Sequence, residues 1–228
     1  MNMFQGWIIQ KLHMRYKMKL IKRDCPLNIE FCNIDAGWLN AKIKLDNKEV
    51  KVKSSYIGYG INALLEAVNC IHPNSSNYEY SNFVSNKEIK GMADGVEVDW
   101  SIPYRAEFYW DEEGSIVDWI FEHEPTLEND FDMEIKIIIH RSTVDEMKFT
   151  ISYKDFCYAL AKGCTEMLKQ LGITGFHRSY WSDDINIRHL LFIKAVALDV
   201  QNELGVFESK YGNSSDIKKE LELLMFDM

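Results

Sequence analysis

Long hydrophobic runs are missing from this sequence, and so is the residue order of a secretory signal. A helix that crosses a bilayer needs about 20 consecutive, mostly apolar residues, and no stretch of the 228-residue chain supplies them. In residues 1–23 the basic side chains follow the apolar ones, and no small-residue cleavage site appears, which is not the order of a signal peptide. The sequence therefore predicts a protein without a transmembrane segment.

Cysteine patterns that would form a disulfide framework or a zinc site are also missing. The cysteine count is odd, no C-x-x-C occurs, and no histidine pair has ligand spacing. We expect the cysteines to act as small buried hydrophobes in a reducing compartment, which indicates the cytoplasm. No metal site and no cofactor is predicted. The five cysteines are Cys25, Cys32, Cys70, Cys157 and Cys164.

The usual catalytic motifs are absent as well. Gly58 and Gly60 stand at a strand-to-helix junction, but they complete neither a dinucleotide fingerprint nor a P-loop and indicate a tight turn. The six histidines form no H-x-x-x-H pair, and residues 122–124 (Glu-His-Glu) alternate across a strand, so they cannot converge on one ion. No G-x-S-x-G occurs. The sequence offers no catalytic residue to assign.

The charge is strongly uneven along the chain. Residues 1–23 carry six basic and no acidic side chains, whereas residues 24–228 carry 20 basic and 35 acidic ones, a net charge of −15. Such an acidic body repels nucleic acid and anionic membranes and attracts basic partners. We therefore expect a basic N-terminal segment, residues 1–23, and a single domain, residues 24–228. The segment is either a helix or strand packed on that domain or an amphipathic helix at a membrane surface.

Alternating apolar residues predict strands over most of residues 24–152. Residues 27–56 read as a three-stranded meander, residues 60–71 have the spacing of a helix, and residues 73–95 are polar and indicate a loop. Further alternating runs follow up to residue 152. An antiparallel sheet with one buried face is expected from them.

Residues 153–228 carry mainly helical signals. Ser152 and Asp155 form a capping box, and Gly172 marks the expected end of that helix. Residues 182–184 predict the start of the next helix, and a short helix is expected over residues 216–226. The predicted fold class is α+β: a twisted antiparallel sheet of about six to eight strands, one inserted helix and a C-terminal group of about three helices.

The stretch 109–115, YWDEEGS, concentrates three carboxylates between two alternating runs. Asp favours the start of a type I turn and glycine its left-handed position, so we predict a hairpin loop at residues 111–114. Carboxylates at a solvated tip have neither the burial nor the partner that would raise a catalytic pKa. The tip is instead a candidate acidic contact for a basic partner.

A second candidate surface lies between the last helices, where aromatic residues precede two acids. Trp, Tyr and Arg are the usual anchors of protein interfaces. Both stretches together give the predicted partner-binding residues, Trp110, Asp111, Glu112, Glu113, Tyr180, Trp181, Asp183 and Asp184. The predicted partner is a basic protein, and no nucleic acid is expected to bind the main domain.

Residues 37–171 resemble a group of uncharacterised cytosolic bacterial proteins found near polymorphic or contact-dependent toxin genes. The resemblance implies an immunity protein that inhibits a toxin, and it implies no catalytic residue. The matching positions are Trp38, Ser55, Tyr56, Leu64, Leu65, Glu66, Trp110, Glu112, Gly114 and Trp119.

Two other functions stay open at this point. One is a hydrolase-like enzyme that uses an Asp or Glu with His140 in a site that motifs do not show. The other is an oligomerising structural domain, in which exposed strand edges pair between subunits.

Overall fold

The computed structural model describes residues 18–57, 60–71, 90–93, 96–99, 104–124, 131–141, 146–181, 184–204, 207–209 and 212–228. These ranges contain eleven strands, four α-helices and one 3₁₀ turn at Gln201–Glu203. The strands are β1 Leu27–Asp35, β2 Trp38–Leu45, β3 Lys48–Ser55, β4 Lys90–Ala93, β5 Val96–Asp99, β6 Tyr104–Asp111, β7 Ile116–His123, β8 Glu134–Arg141, β9 Glu146–Ser152, β10 Phe207–Ser209 and β11 Gly212–Ser214. The helices are α1 Gly60–Cys70, α2 Tyr153–Tyr180, α3 Ile187–Ala197 and α4 Ile217–Met225.

A three-stranded antiparallel sheet, in the order β1-β2-β3, forms the first layer. Its alternation is the one expected from the sequence: residues such as Ile29, Leu39 and Val52 are buried on one face, and polar residues occupy the other. Helix α2 lies across the buried face close to β1. The approach requires Gly163, because a Cβ there would lie 2.5 Å from the carbonyl oxygen of Ile29.

Strands β4 to β9 form a second antiparallel sheet, with neighbours in chain order. Its buried face is aromatic: Phe108, Trp119 and Phe121 stack on one another with interplanar angles of 7° to 13°. Helix α1 contacts β5 and β6, so this aromatic layer forms part of the core of the protein. The short hairpin β10-β11 is a third, two-stranded sheet.

Helix α1 is buried along almost its whole length, with Asn62 as its one partly exposed residue. Three buried side chains bond to carbonyl oxygens along it. Trp110 Nε1 donates to the oxygen of Gly60 at 2.7 Å, and the Tyr153 hydroxyl donates to that of Val68 at 2.8 Å. His123 Nε2 lies 2.6 Å from the oxygen of Ile71. These contacts fix both ends of α1 against strands of the larger sheet.

The C-terminal helices confirm some of the predicted starts and correct others. The Ser152 hydroxyl accepts from the amide of Asp155 at 3.1 Å, as the capping box predicts, and Asp216 caps α4. Gly172, at φ 69° and ψ 169°, interrupts helical geometry where the sequence predicted a helix end, and a second helical segment of α2 then continues to Tyr180. Helix α3 begins after Asn186, which caps it; Ser182 and Asp183, part of the predicted start, lie outside the described residues.

The α+β class is confirmed: among the described residues, one helix lies between β3 and β4 and three helices follow β9, with the hairpin β10-β11 between the last two. The strands divide between separate sheets, and the loop predicted at 73–95 is wrong at Lys90–Ala93, which is a strand; the rest of that stretch lies outside the described residues. Residues 1–17 also lie outside them. Residues 18–23 have no regular structure and pack on the domain, because Met18 is buried and Arg23 pairs with Asp155 of α2 at 2.5 Å.

Among the residues that the structure describes, no helix combines the length and the hydropathy needed to cross a membrane.

Candidate functional site

The carboxylate cluster lies at the hairpin between β6 and β7, where the sequence predicted a turn. Asp111 is the last residue of β6 and pairs with Ile116, so the loop is residues 112–115, one residue later than predicted. The amide of Glu112 donates to the carbonyl oxygen of Ser115 at 2.9 Å, and Asp111 Oδ1 accepts from the amide of Glu113 at 2.6 Å. Glu113 takes the left-handed conformation at φ 52° and is exposed. One acid of the three therefore closes the turn with its side chain, and another stands in solvent.

Glu112 corrects the prediction of a wholly solvated tip. Its carboxylate accepts from the amide of Lys53 at 2.8 Å, from the Ser115 hydroxyl at 2.8 Å and from the guanidinium of Arg141 at 2.9 Å. Burial acts to raise the pKa of Glu112, but these three bonds outweigh it, so the pKa is lowered. Glu112 is consequently held in place as an anion and is not free to meet a partner.

Arg141 completes the connection that Glu112 begins. Its guanidinium also donates to the carbonyl oxygen of Lys51, at 2.9 Å. Glu112 thus binds the amide of Lys53, and Arg141 binds the carbonyl oxygen of Lys51, two residues earlier on β3. The pair, here called the Glu112–Arg141 clamp, fixes the hairpin loop against the C-terminal half of β3.

Tyr180 also bonds to β3, near its C-terminal end. Its hydroxyl lies 2.7 Å from Ser54 Oγ and donates to the carbonyl oxygen of Ser55 at 3.0 Å. Burial raises the pKa of Tyr180 to about 12, so the hydroxyl keeps its proton for this bond at neutral pH. The second predicted stretch, at the end of α2, therefore docks on the same part of β3 as the hairpin loop.

Trp181 follows Tyr180 directly but is 59% exposed. Its backbone is left-handed, at φ 63°, and its amide donates to the carbonyl oxygen of His177 at 3.0 Å. For a bulky residue this conformation is uncommon and is found where surrounding structure enforces it. The chain turns here, and the indole projects from the surface while the neighbouring phenol remains inside.

A second exposed aromatic side chain stands beside Trp181. Tyr56 packs edge-on against it with ring centroids 5.9 Å apart, and Ile57 is exposed next to Tyr56. Gly37 allows this contact, because a Cβ there would lie 2.7 Å from the Tyr56 ring and 3.0 Å from the Trp181 ring. We call Tyr56 and Trp181 the aromatic patch.

Carboxylates border the aromatic patch. Asp184 is exposed and lies 3.0 Å from His177 Nδ1, and its carbonyl oxygen accepts from the Asn62 amide group at 3.0 Å. Asp35 is exposed in the turn that contains Gly37. Asp183 belongs to the predicted set but lies outside the described residues.

The structure thus brings the two predicted stretches together through the last residues of β3. It also corrects the assignment of Trp110 and Tyr180, which are 0% and 1% exposed and cannot offer a surface to a partner. Both are hydrogen-bonded core residues below the site. The prediction missed Tyr56 and Ile57, although two adjacent large apolar residues after a strand and before glycine are a usable signal in "SSYIGYG".

A groove of about 790 Å³ adjoins the clamp on the outer face of the three-stranded sheet. Despite the acidic composition, this face is rich in lysine: Lys42 and Lys51 stand opposite each other on β2 and β3. Glu49 pairs with both, at 3.4 and 3.6 Å, and the ammonium of Lys53 stands 6.0 Å from the Trp38 ring. The acidic excess is therefore not uniform over the described surface.

His140, the histidine of the enzyme alternative, is exposed on the outer face of β8. The strand register places it opposite Asp118. The pKa of Asp118 is raised, first by burial and then by the charge of Glu107, while His140 partly offsets the effect. The two side chains are therefore neighbours on the outer face of the six-stranded sheet.

Within the described ranges, no group of three or more His, Cys, Asp or Glu side chains is arranged to hold an ion. Cys70, Cys157 and Cys164 are buried, and Cys25 and Cys32 are partly buried. Burial raises the pKa of Cys157 and Cys164 well above the usual thiol range, so both are protonated at neutral pH.

Comparison with known proteins adds no relative: no protein-family model, no curated protein and no solved structure matches the chain.

Proposed function

We propose that the protein is a cytoplasmic, non-catalytic binding protein of the immunity type, which neutralises a toxin domain with a basic surface. The aromatic patch is the observation that carries this proposal. Large aromatic side chains supply most of the binding energy at many protein interfaces, and here Tyr56 and Trp181 are both exposed and in contact.

The patch is held rigidly by the core beneath it. Tyr180, next to Trp181, is bonded to Ser54 and Ser55, and the amide of Gly37 donates to the carbonyl oxygen of Ser179 at 2.9 Å. A partner that binds here therefore needs to order few groups of this protein. Preorganisation of this kind lowers the entropic cost of association.

Charge supports a basic partner. Exposed carboxylates of Asp35, Glu113 and Asp184 lie around the two stretches that meet at β3, and residues 24–228 carry a net charge of −15. Nucleases and other proteins that act on nucleic acids carry basic surfaces because they contact phosphates. Opposite charge accelerates encounter with such a surface, and desolvated aromatic anchors then supply affinity.

The first measurement is whether the neighbouring genes encode a secreted toxin, and the decisive one is calorimetric binding of this protein to the C-terminal domain of such a toxin. We expect Trp181→Ala to weaken binding about 30-fold or more, as for a hot-spot residue. Tyr109→Ala is the matched control, because Tyr109 is 56% exposed on the outer face of β6, and it should leave the affinity unchanged. Equal effects of the two variants would contradict the proposal.

A charge series tests the electrostatic part separately. Glu113→Lys and Asp184→Lys should each slow association and reduce its dependence on salt. Glu134→Lys is the control, because Glu134 is exposed at the far end of β8. An association rate that depends neither on salt nor on these charge reversals would contradict a partner with a basic surface.

A further inference from the structure

Helix α4 exposes an unusual apolar stripe. Ile217, Leu221 and Met225 are 60%, 49% and 81% exposed, and they follow one another at intervals of four residues. Residues four apart lie above one another on a helix. The three side chains therefore form one continuous ridge in solvent, on the side opposite the buried Leu223.

This ridge belongs to a firmly mounted helix. Leu223 is 0% exposed, and Asp216 Oδ1 accepts from the amide of Lys218 at 3.0 Å at the N-terminal end. At the C-terminal end the buried ammonium of Lys194 donates to the carbonyl oxygens of Leu224 and Phe226, at 3.0 and 2.7 Å. The exposure of the ridge is thus a property of the folded helix and not of a loose end.

The ridge is complementary to itself. Ile217 and Met225 stand four residues before and after Leu221, so an antiparallel α4 related by a two-fold axis at Leu221 places Leu221 on its own copy. Ile217 then meets Met225 of the second copy. A closed two-fold contact of this kind uses the same patch on both subunits.

Charges beside the ridge suit the same arrangement. Lys218 and Glu222 lie on one side of it, and the two-fold axis brings Lys218 of each copy next to Glu222 of the other. On the opposite side Glu220 is bonded to Ser215. Lys218 and Lys219 balance Glu220 and Glu222, so α4 carries no net charge in a protein whose net charge is −9.

From this symmetry and charge pairing we propose that the protein self-associates through α4, as an antiparallel two-fold dimer centred on Leu221. The contact is distinct from the aromatic patch and from the strand edges considered above. It depends on no property of the proposed partner, so either proposal can fail without the other.

Sedimentation equilibrium of the full chain tests the dimer. We expect Leu221→Glu to weaken self-association about tenfold or more, since it places two carboxylates in the centre of the contact. Ile173→Glu is the control, because Ile173 is an exposed apolar residue of α2, and it should leave the dimer intact. Thermal unfolding of each variant at low concentration would verify that the monomer still folds.

Charge reversal gives the sharper experiment. Lys218→Glu and Glu222→Lys should each weaken the homodimer about three- to tenfold, because both reciprocal pairs become repulsive. An equimolar mixture of the two variants should dimerise at least as well as the wild type, since every pair across that contact is attractive. If each substitution only destabilised its own helix, mixing the two variants would not restore dimerisation.

Three results would overturn the proposal. One is a wild-type chain that stays monomeric up to about 1 mM, which would mean that the ridge is covered by residues 1–17 or serves another protein. Another is a dimer that Leu221→Glu leaves unchanged, which would indicate pairing at strand edges. The third is failure of the mixed variants to associate.

Discussion

Two pairs of neighbouring residues show how the hairpin loop and the end of α2 resemble each other. Glu112 is bonded to β3, while Glu113 stands in solvent. Tyr180 is 1% exposed and bonded to β3, while Trp181 is 59% exposed. In each region one residue attaches the segment to β3, and the next residue is exposed to solvent and to a partner. The comparison predicts that the inner residues control stability and the outer ones control binding.

Replacing the inner aromatic residue should have the largest effect. Tyr180→Ala should lower the free energy of unfolding by about 3 to 5 kcal/mol, because it removes a buried ring, and Tyr180→Phe by about 1 to 2 kcal/mol, because it leaves the bonding groups of Ser54 and Ser55 without this partner. Urea unfolding measures both. A loss below about 0.5 kcal/mol for Tyr180→Phe would show that the hydrogen bonds do not hold α2 to β3.

The inner acid should come next. Glu112→Gln should cost about 1 to 2 kcal/mol at neutral pH, since three bonds to a charged acceptor are weakened, whereas Glu113→Gln should cost almost nothing. Because the folded-state pKa of Glu112 is lowered from 4.5, the unfolded chain binds its proton first as pH falls. The stabilisation is complete above pH 4.5 and is lost as pH falls through the folded-state pKa.

Unfolding measured from about pH 6 to pH 3 tests whether the stabilisation by Glu112 is lost on acidification. The difference in stability between the wild type and Glu112→Gln should shrink towards the acid end, and the difference for Glu113→Gln should stay flat. A difference that grows on acidification would mean that the clamp does not stabilise the ionised carboxylate.

The outer aromatic residue should have the smallest effect on stability. Trp181→Gly should change the free energy of unfolding by less than about 0.5 kcal/mol, because glycine relieves the left-handed strain while the exposed contact with Tyr56 is lost. Calorimetric unfolding measures the effect of Trp181→Gly on stability, and a binding titration measures its effect on affinity for the partner. A large decrease in the free energy of unfolding would show that Trp181 contributes to stability as Tyr180 does, which would contradict the distinction between inner and outer residues.

Local signals in the sequence predicted the elements well. Ser152 and Asp216 start α2 and α4 where their capping chemistry indicates, and the alternation over residues 27–56 gives the three strands found there. Gly172 breaks the helical geometry of α2 as predicted, but the prediction did not include the helical segment that follows it. That segment buries Phe176 and Tyr180 in the core, which is a property of packing and not of local sequence.

The same limit explains the errors at the site. Aromatic residues are enriched in cores as well as in interfaces, so "YW" at 180–181 does not reveal that one ring is inside and the other outside. Nor does a run of acids show that Glu112 meets the amide of Lys53, 59 residues away. Such pairings depend on which strands become neighbours, and alternation alone does not determine that.

The Glu112–Arg141 clamp has a consequence for aggregation. Among the described strands, β3 has β2 on one side and no strand on the other, and an unpaired strand edge can pair with another chain in cross-β stacking. Side chains already occupy the amide of Lys53 and the carbonyl of Lys51 on this edge. We therefore expect the two residues that position the hairpin loop to hinder fibril growth as well.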